Sequence, residues 1–425
     1  MTRRRWFHLG AISLLLAVVL GPAAVGRVSG SHPAGDAGAS PTTSPPATPI
    51  TVESCRLARG AQVTADYVSA GFPVSALRMD SRGAVRVPVI FVDFPDSRAA
   101  ARTPRSAWTE LSPAQDFLRD VSYGRMEVIF EPLLRWVHLS RPAEDYGITR
   151  SASPSTGTLT DYVREAVERA DRRIDFTGVS SVLVVVNRET TAIDYSPALV
   201  VTSPVEGIST HEGSVITSGA ALGADTWSTW GWRVIPHELG HALGLVDLYD
   251  GSRSDYVRLH RFVGTWDLMG DPLSGTPEYL AWNRWLLGWI RDSQIRCLIG
   301  TRLDATVTLT AIERRQGMKA AVVRLSPTRA LVMESRRVLG HDTASTYSHD
   351  GVDEGVLVYV VDTAIDTLKG PIRVLAGERA SDRSMKARAP LAAGESLTYA
   401  GVTVRVVSTI GSRDTLTVTG RPIQW

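Results

Sequence analysis

The chain has 425 residues, 44% of them hydrophobic, enough apolar material for one large or two medium cores. Its 46 basic and 44 acidic residues nearly cancel and form no block of like charge, which argues against a nucleic-acid partner or an anionic membrane surface. No run after the N-terminus is long enough to span a bilayer, so no membrane anchor is expected in the mature form.

Residues 1–26 read as an export signal: Arg3, Arg4 and Arg5, an apolar run up to Leu20, then small residues around Ala23 and Ala24. Arg4-Arg5-Trp6-Phe7 loosely resembles a twin-arginine signal, and a plain Sec signal with three arginines explains the same residues. Residues 27–50 are dominated by Ser, Thr, Pro, Ala and Gly, which cannot bury enough apolar surface to offset ordering, so a disordered linker or pro-segment is expected. The only cysteines are Cys55 and Cys297. In an exported chain such a pair is expected to form a disulfide, with two buried free thiols as the alternative.

Residues 84–94 alternate and then run apolar, which predicts a buried strand. Ser112-Pro113 reads as a cap and first helical residue, followed by Phe117, Leu118 and Val121 at helical spacing and a stop at Tyr123-Gly124. Residues 126–139 suggest two short strands around Pro132, residues 159–170 a helix, and residues 181–187 a second buried strand. Residues 232–245 predict a helix with Pro236 near its start and Gly244 at its end. Pro277 is expected to begin another, in which Leu280, Ala281, Trp285, Leu286 and Leu287 recur before Gly288. Beyond Arg296 the chain turns to short Val- and Thr-rich runs divided by turns, the pattern of a C-terminal β domain, sandwich-like, over residues 297–425. The fold class is therefore α+β.

The helix over residues 232–245 carries the chemistry. His237-Glu238-Leu239-Gly240-His241 sets two imidazoles one helical turn apart, so both project from one face and can take two corners of a tetrahedral zinc site. Glu238 falls beside the open position, where a general base belongs. Gly244 lies where the helix must turn back, and Asp247 where a carboxylate on the returning chain could meet the same metal, giving the pattern HExxHxxGxxD. Otherwise Asp247 is a solvated turn residue, and His260 is the next place to seek a third ligand. Met269, within residues 264–270, fits a Met-turn that floors a metal site, although a lone Met is ordinarily plain core.

With these residues in hand, the chain resembles the immune inhibitor A family of secreted bacterial metallopeptidases. The resemblance rests on VIFVDFP at residues 89–95, FLRDVSYGRM at 117–126, Trp136 with Tyr146-Gly147, and HELGHALGLVDLYD at 237–250. It continues through residues 264–269, Pro277, Leu287-Gly288-Trp289, VMESR at 332–336 and GVLVYVVD at 355–362. Two departures stand out: Val246 occupies the place of an expected Pro, and residues 187–194 lack a His-Ala-Gly type of segment after the second strand. The resemblance implies a zincin-like metallopeptidase catalytic domain over residues 51–296, one catalytic zinc, extracellular action on polypeptide substrates, and structural calcium. For calcium, Asp247, Asp250 and Asp255 could supply oxygens, and a polar surface loop explains Asp250 and Asp255 as well. A monomer is expected. Tyr249 and Tyr256 are the nearby candidates for a second oxyanion donor.

Overall fold

The apolar run after residue 83 becomes β1 (Gly83–Asp93), the second strand of a five-stranded sheet. The computed structural model describes residues 51–65, 68–152, 154–343, 353–376 and 386–423, so the expected export signal and linker lie outside the described residues. Helices α1 (Arg105–Leu111) and α2 (Pro113–Val121) lead to β2 (Met126–His138), and α3 (Thr156–Ala170) leads to β3 (Ser181–Val186). There follow β4 (Ala198–Val200), the small hairpin of β5 (Ile208–Ser209) and β6 (Val215–Ile216), and β7 (Ser218–Leu222). The sheet order is β2-β1-β3-β7-β4, parallel throughout except for β4, which runs antiparallel to β7 at the edge. Parallel strands covered on both faces read as continuous apolar runs, and every residue of β3 is buried. Ile90, Val92, Val182 and Val184 pack on one face with Tyr162, Val163 and Ala166 of α3. Val87, Val89, Phe91 and Leu183 face the opposite core, which holds α2 and the helices over residues 234–242 and 281–286.

Three local expectations are corrected. Residues 126–138 form one strand of 13 residues rather than two, with Pro132 paired opposite Val89. A proline is tolerated there because β2 is an edge strand. Ser112 precedes Pro113 but does not cap α2: α1 runs directly into it, and the Ser112 hydroxyl donates back to the Thr109 carbonyl. Pro277 lies four residues ahead of its helix, α6 (Ala281–Leu286). That helix starts where carboxylates receive its first amides, Asp267 from Leu280 and Glu334 from Ala281.

The helix that carries His237, Glu238 and His241 is α4 (Val234–Ala242), shorter at both ends than its apolar pattern, and α5 (Tyr256–Leu259) is a single turn beyond it. The C-terminal region is all β. A five-stranded sheet runs β13 (Ile372–Leu375), β12 (Gly355–Asp362), β11 (Arg329–Arg336), β10 (Ala320–Arg324) and β8 (Ile295–Leu298). A four-stranded sheet runs β14 (Ser396–Tyr399), β15 (Val402–Ile410), β16 (Arg413–Gly420) and β9 (Leu303–Thr310). The two sheets share a core of Leu309, Val323, Leu331, Val358, Val404 and Leu416. The other face of the five-stranded sheet, through Val322, Val332 and Tyr359, joins the core beneath α4 and α6.

Cys55, in a short turn at the N-terminal end of the described chain, is disulfide-bonded to Cys297 on β8, with Cα atoms 5.7 Å apart. Among the described residues, no helix is long and apolar enough to cross a membrane.

Candidate metal centre

Every residue of α4 is buried, so the helix is held by packing. Gly244 ends it with φ of 99°, and the Leu245 amide turns back to the Gly240 carbonyl at 2.8 Å, the backbone path of a glycine-terminated helix. That turn brings Asp247 back under the helix. Its Oδ1 lies 3.3 Å from Nε2 of His237 and 3.3 Å from Nε2 of His241. The potential ligand atoms of the three residues all lie within 4.8 Å of one another, and His237, His241 and Asp247 form the one group among the described residues that could hold a metal ion in this way.

Backbone carbonyls fix both tautomers. His237 Nδ1 donates to the Leu268 carbonyl at 3.0 Å and His241 Nδ1 to the Leu245 carbonyl at 2.9 Å. A carbonyl can only accept, so in the neutral rings both Nε2 lone pairs face Asp247. Asp247 Oδ1 is itself buried with no hydrogen-bond partner. Three acceptors converging on one point is a poor arrangement for a protein alone and a good one for a cation. The carboxylate and the two imidazoles also shift one another's protonation. Burial opposes charge on His241, yet the adjacent Asp247 carboxylate outweighs it and lifts that imidazole to about 9. Burial likewise works against ionised Asp247, but the His241 and His237 charges hold it well below the usual carboxylate range. Two imidazole nitrogens and one carboxylate oxygen fit a borderline divalent ion.

Glu238 points into a cavity of about 530 Å³ that also exposes His237, His241 and Asp247. No group among the described residues hydrogen-bonds its carboxylate. Burial pushes this carboxyl up to about 7, against the pull of the two histidines.

The surroundings fix these side chains. Met269 is fully buried under α4, and its carbonyl receives the Leu248 amide at 2.9 Å, so the segment that orients His237 also braces the returning chain. Asp267 organises that segment by accepting from the amides of Met269 and Leu280 and from Asn283. The Asp247 amide donates to Thr367 Oγ1 at 2.9 Å, and the Asp247 carbonyl accepts from Leu368 at 3.3 Å, so the β12–β13 connection supports the third donor.

The remaining sequence candidates divide. Tyr249 lines the cavity, its ring 6.5 Å from that of His237. Tyr256 gives its hydroxyl to Asp271 at 2.9 Å. His260 lines the same cavity and donates from Nδ1 to the Gly270 carbonyl, outside the three-donor group. Asp250 is bound by Arg261 and Ser252, and Asp255 accepts from the Arg258 amide, which are the local roles of a polar loop.

The far wall was not foreseen. Tyr195 lies under the Arg150 guanidinium, 5.0 Å from its ring centre, and Asp225 accepts from Arg150, Trp230 and Ser196. Arg150 and Asp225 are 75 residues apart, so no spacing in the sequence signals their meeting. No family model matches the chain, and no curated protein matches it.

Proposed function

We propose that the protein is a secreted zinc-dependent endopeptidase of the zincin type. The observation that carries the reading is the meeting of the three donors of His237, His241 and Asp247 beside a Glu238 carboxylate that no group among the described residues hydrogen-bonds and that faces an open cleft. Zinc held by those donors would supply a Lewis acid and a water whose pKa is lowered to about 7. Glu238, lining the cleft beside the three donors, accepts the proton of the attacking water and returns it to the leaving amine. The Nδ1 bonds to Leu268 and Leu245 hold both imidazoles in the ligating tautomer throughout.

The cleft suits a polypeptide. Ala198 and Val200 of the edge strand β4 line it, so an extended chain laid against that edge would pass over Glu238. The resemblance to the immune inhibitor A family, carried by residues 237–250, supports the same chemistry, and the Cys55–Cys297 disulfide and the N-terminal signal pattern support extracellular action. A metal-stabilised binding module would use the three ligands equally well but gives Glu238 no task. Casein zymography separates the two: clearing that a chelator abolishes and zinc restores supports the peptidase, and no clearing by zinc-loaded protein refutes it.

A further inference from the structure

A second cavity of about 510 Å³ shares no lining residue with the metal cleft. Its walls come from four separated segments: Arg56 beside the disulfide, Arg82 just before β1, Arg125 just before β2, and residues 288–292 between α6 and β8, which include Arg291 and Asp292. Four arginines thus surround one acid. That acid is fully engaged. Asp292 accepts two bonds from Arg56, at 2.8 and 2.9 Å, and a third from Trp285 Nε1 at 2.8 Å. Arg56 is further fixed over the rings of Phe72 and Trp285.

The other three cations lack any such partner. Among the described residues, no carboxylate lies within ion-pair distance of Arg82, Arg125 or Arg291, and Arg125 Nε is buried with no hydrogen bond. Arg82 and Arg125 nevertheless crowd together at Gly288. The Arg82 guanidinium lies 3.4 Å from where a Cβ on that glycine would stand, and Arg125 reaches its carbonyl at 3.5 Å. Like charges gathered around a concavity, one of them with its Nε buried and unmet, make a favourable seat for an anion.

We propose that this cavity is a binding site for a compact oxyanion of at least two negative charges, a phosphate or sulfate group, held by Arg82, Arg125 and Arg291. A guanidinium matches such a group with paired N–H donors, and three unpaired cations call for more charge than a single carboxylate carries. The field is felt within the protein: burial, then the positive charges of Arg291, Arg315 and Arg82, lower the Arg125 pKa. The chain as a whole has a net charge of only +2, so the gathering of four arginines here is a local feature and not a reflection of overall charge. Because its walls come from the disulfide-linked N-terminal turn, the first sheet and the α6–β8 connection, an anion here would tie these segments together.

The test is calorimetric titration of the purified protein with inorganic phosphate, and separately with linear polyphosphate, at constant ionic strength. It compares wild type, Arg82→Gln, Arg291→Gln and Arg405→Gln, the last removing a solvent-facing arginine on β15. One phosphate should bind per chain, and either of the first two substitutions should raise its Kd about tenfold or more, as expected for losing a charge-assisted contact, while Arg405→Gln leaves it unchanged. Tighter binding of polyphosphate per phosphate group would identify a polymer-borne phosphate as the ligand, and equal binding the free ion. The proposal fails if neither probe gives a saturable heat, or if all four proteins bind alike.

Discussion

The Met269 sulfur stands 2.5 Å from the point a Cβ on Gly240 would occupy, so the residue between His237 and His241 cannot carry a side chain unless the floor of the site moves. Glycine inside a helix ordinarily weakens it, and replacing it by alanine at a neutral position would stabilise by about 1 kcal/mol. Here the sign should reverse. Gly240→Ala is expected to lower stability in urea unfolding by about 1–3 kcal/mol through overpacking. Met269→Ala should then cost less in the Gly240→Ala protein than in wild type, because the two residues compete for one space. A Gly240→Ala protein as stable as wild type would show that Met269 does not constrain α4.

Asp247 is held from the far side of the chain, since its amide donates to Thr367 at a separation of 120 residues. Thr367→Ala should weaken zinc binding about tenfold, the scale for losing a group that orients a ligand, and Thr367→Ser should retain it. Asp247→Ala removes the ligand itself and should abolish tight binding. Competition with a chromophoric chelator reads all three. Normal zinc affinity in Asp247→Ala would move the third ligand elsewhere, with His260 next to be tested.

Lys319 is fully buried, with its ammonium on the Ala311 carbonyl at 3.0 Å. Burial, and then the positive charge of Arg284, push it down from 10.5 to about 7. Between these values the unfolded chain binds the extra proton, so stability contributed by this group rises with pH from about 7 to 10.5, and the cost of the buried charge is complete below that window. Lys319→Met should therefore be more stable than wild type at pH 6, with its advantage shrinking toward pH 10. Denaturation curves for both proteins across that range check it, and a difference independent of pH would contradict the assignment.

What the sequence revealed follows from how far each feature depends on distant chain. His237, Glu238 and His241 are legible because helical periodicity alone puts two of them on one face, and Asp247 is reachable because Gly244 fixes the turn before it. Strands such as β3, buried on both faces, announce themselves as apolar runs. Strand β16, which alternates Thr with apolar residues and is only half buried, does not, and the unbroken β2 was disguised by Pro132. Tyr195, Arg150, Asp225 and Thr367 meet the site only through topology. Nor could spacing reveal Arg82, Arg125 and Arg291 around one cavity, since they arrive from three separate connections.

The central claim is that Glu238 performs chemistry and does not hold the metal. The most direct measurement is the rate of peptide hydrolysis per bound zinc in Glu238→Ala against wild type. Glu238 contributes no atom to the three-donor group, so the variant should keep one zinc per chain while hydrolysis falls by about 10²–10⁴-fold, the usual cost of losing a general base. A Glu238→Ala protein that holds its zinc and cleaves peptide at near the wild-type rate would contradict the account.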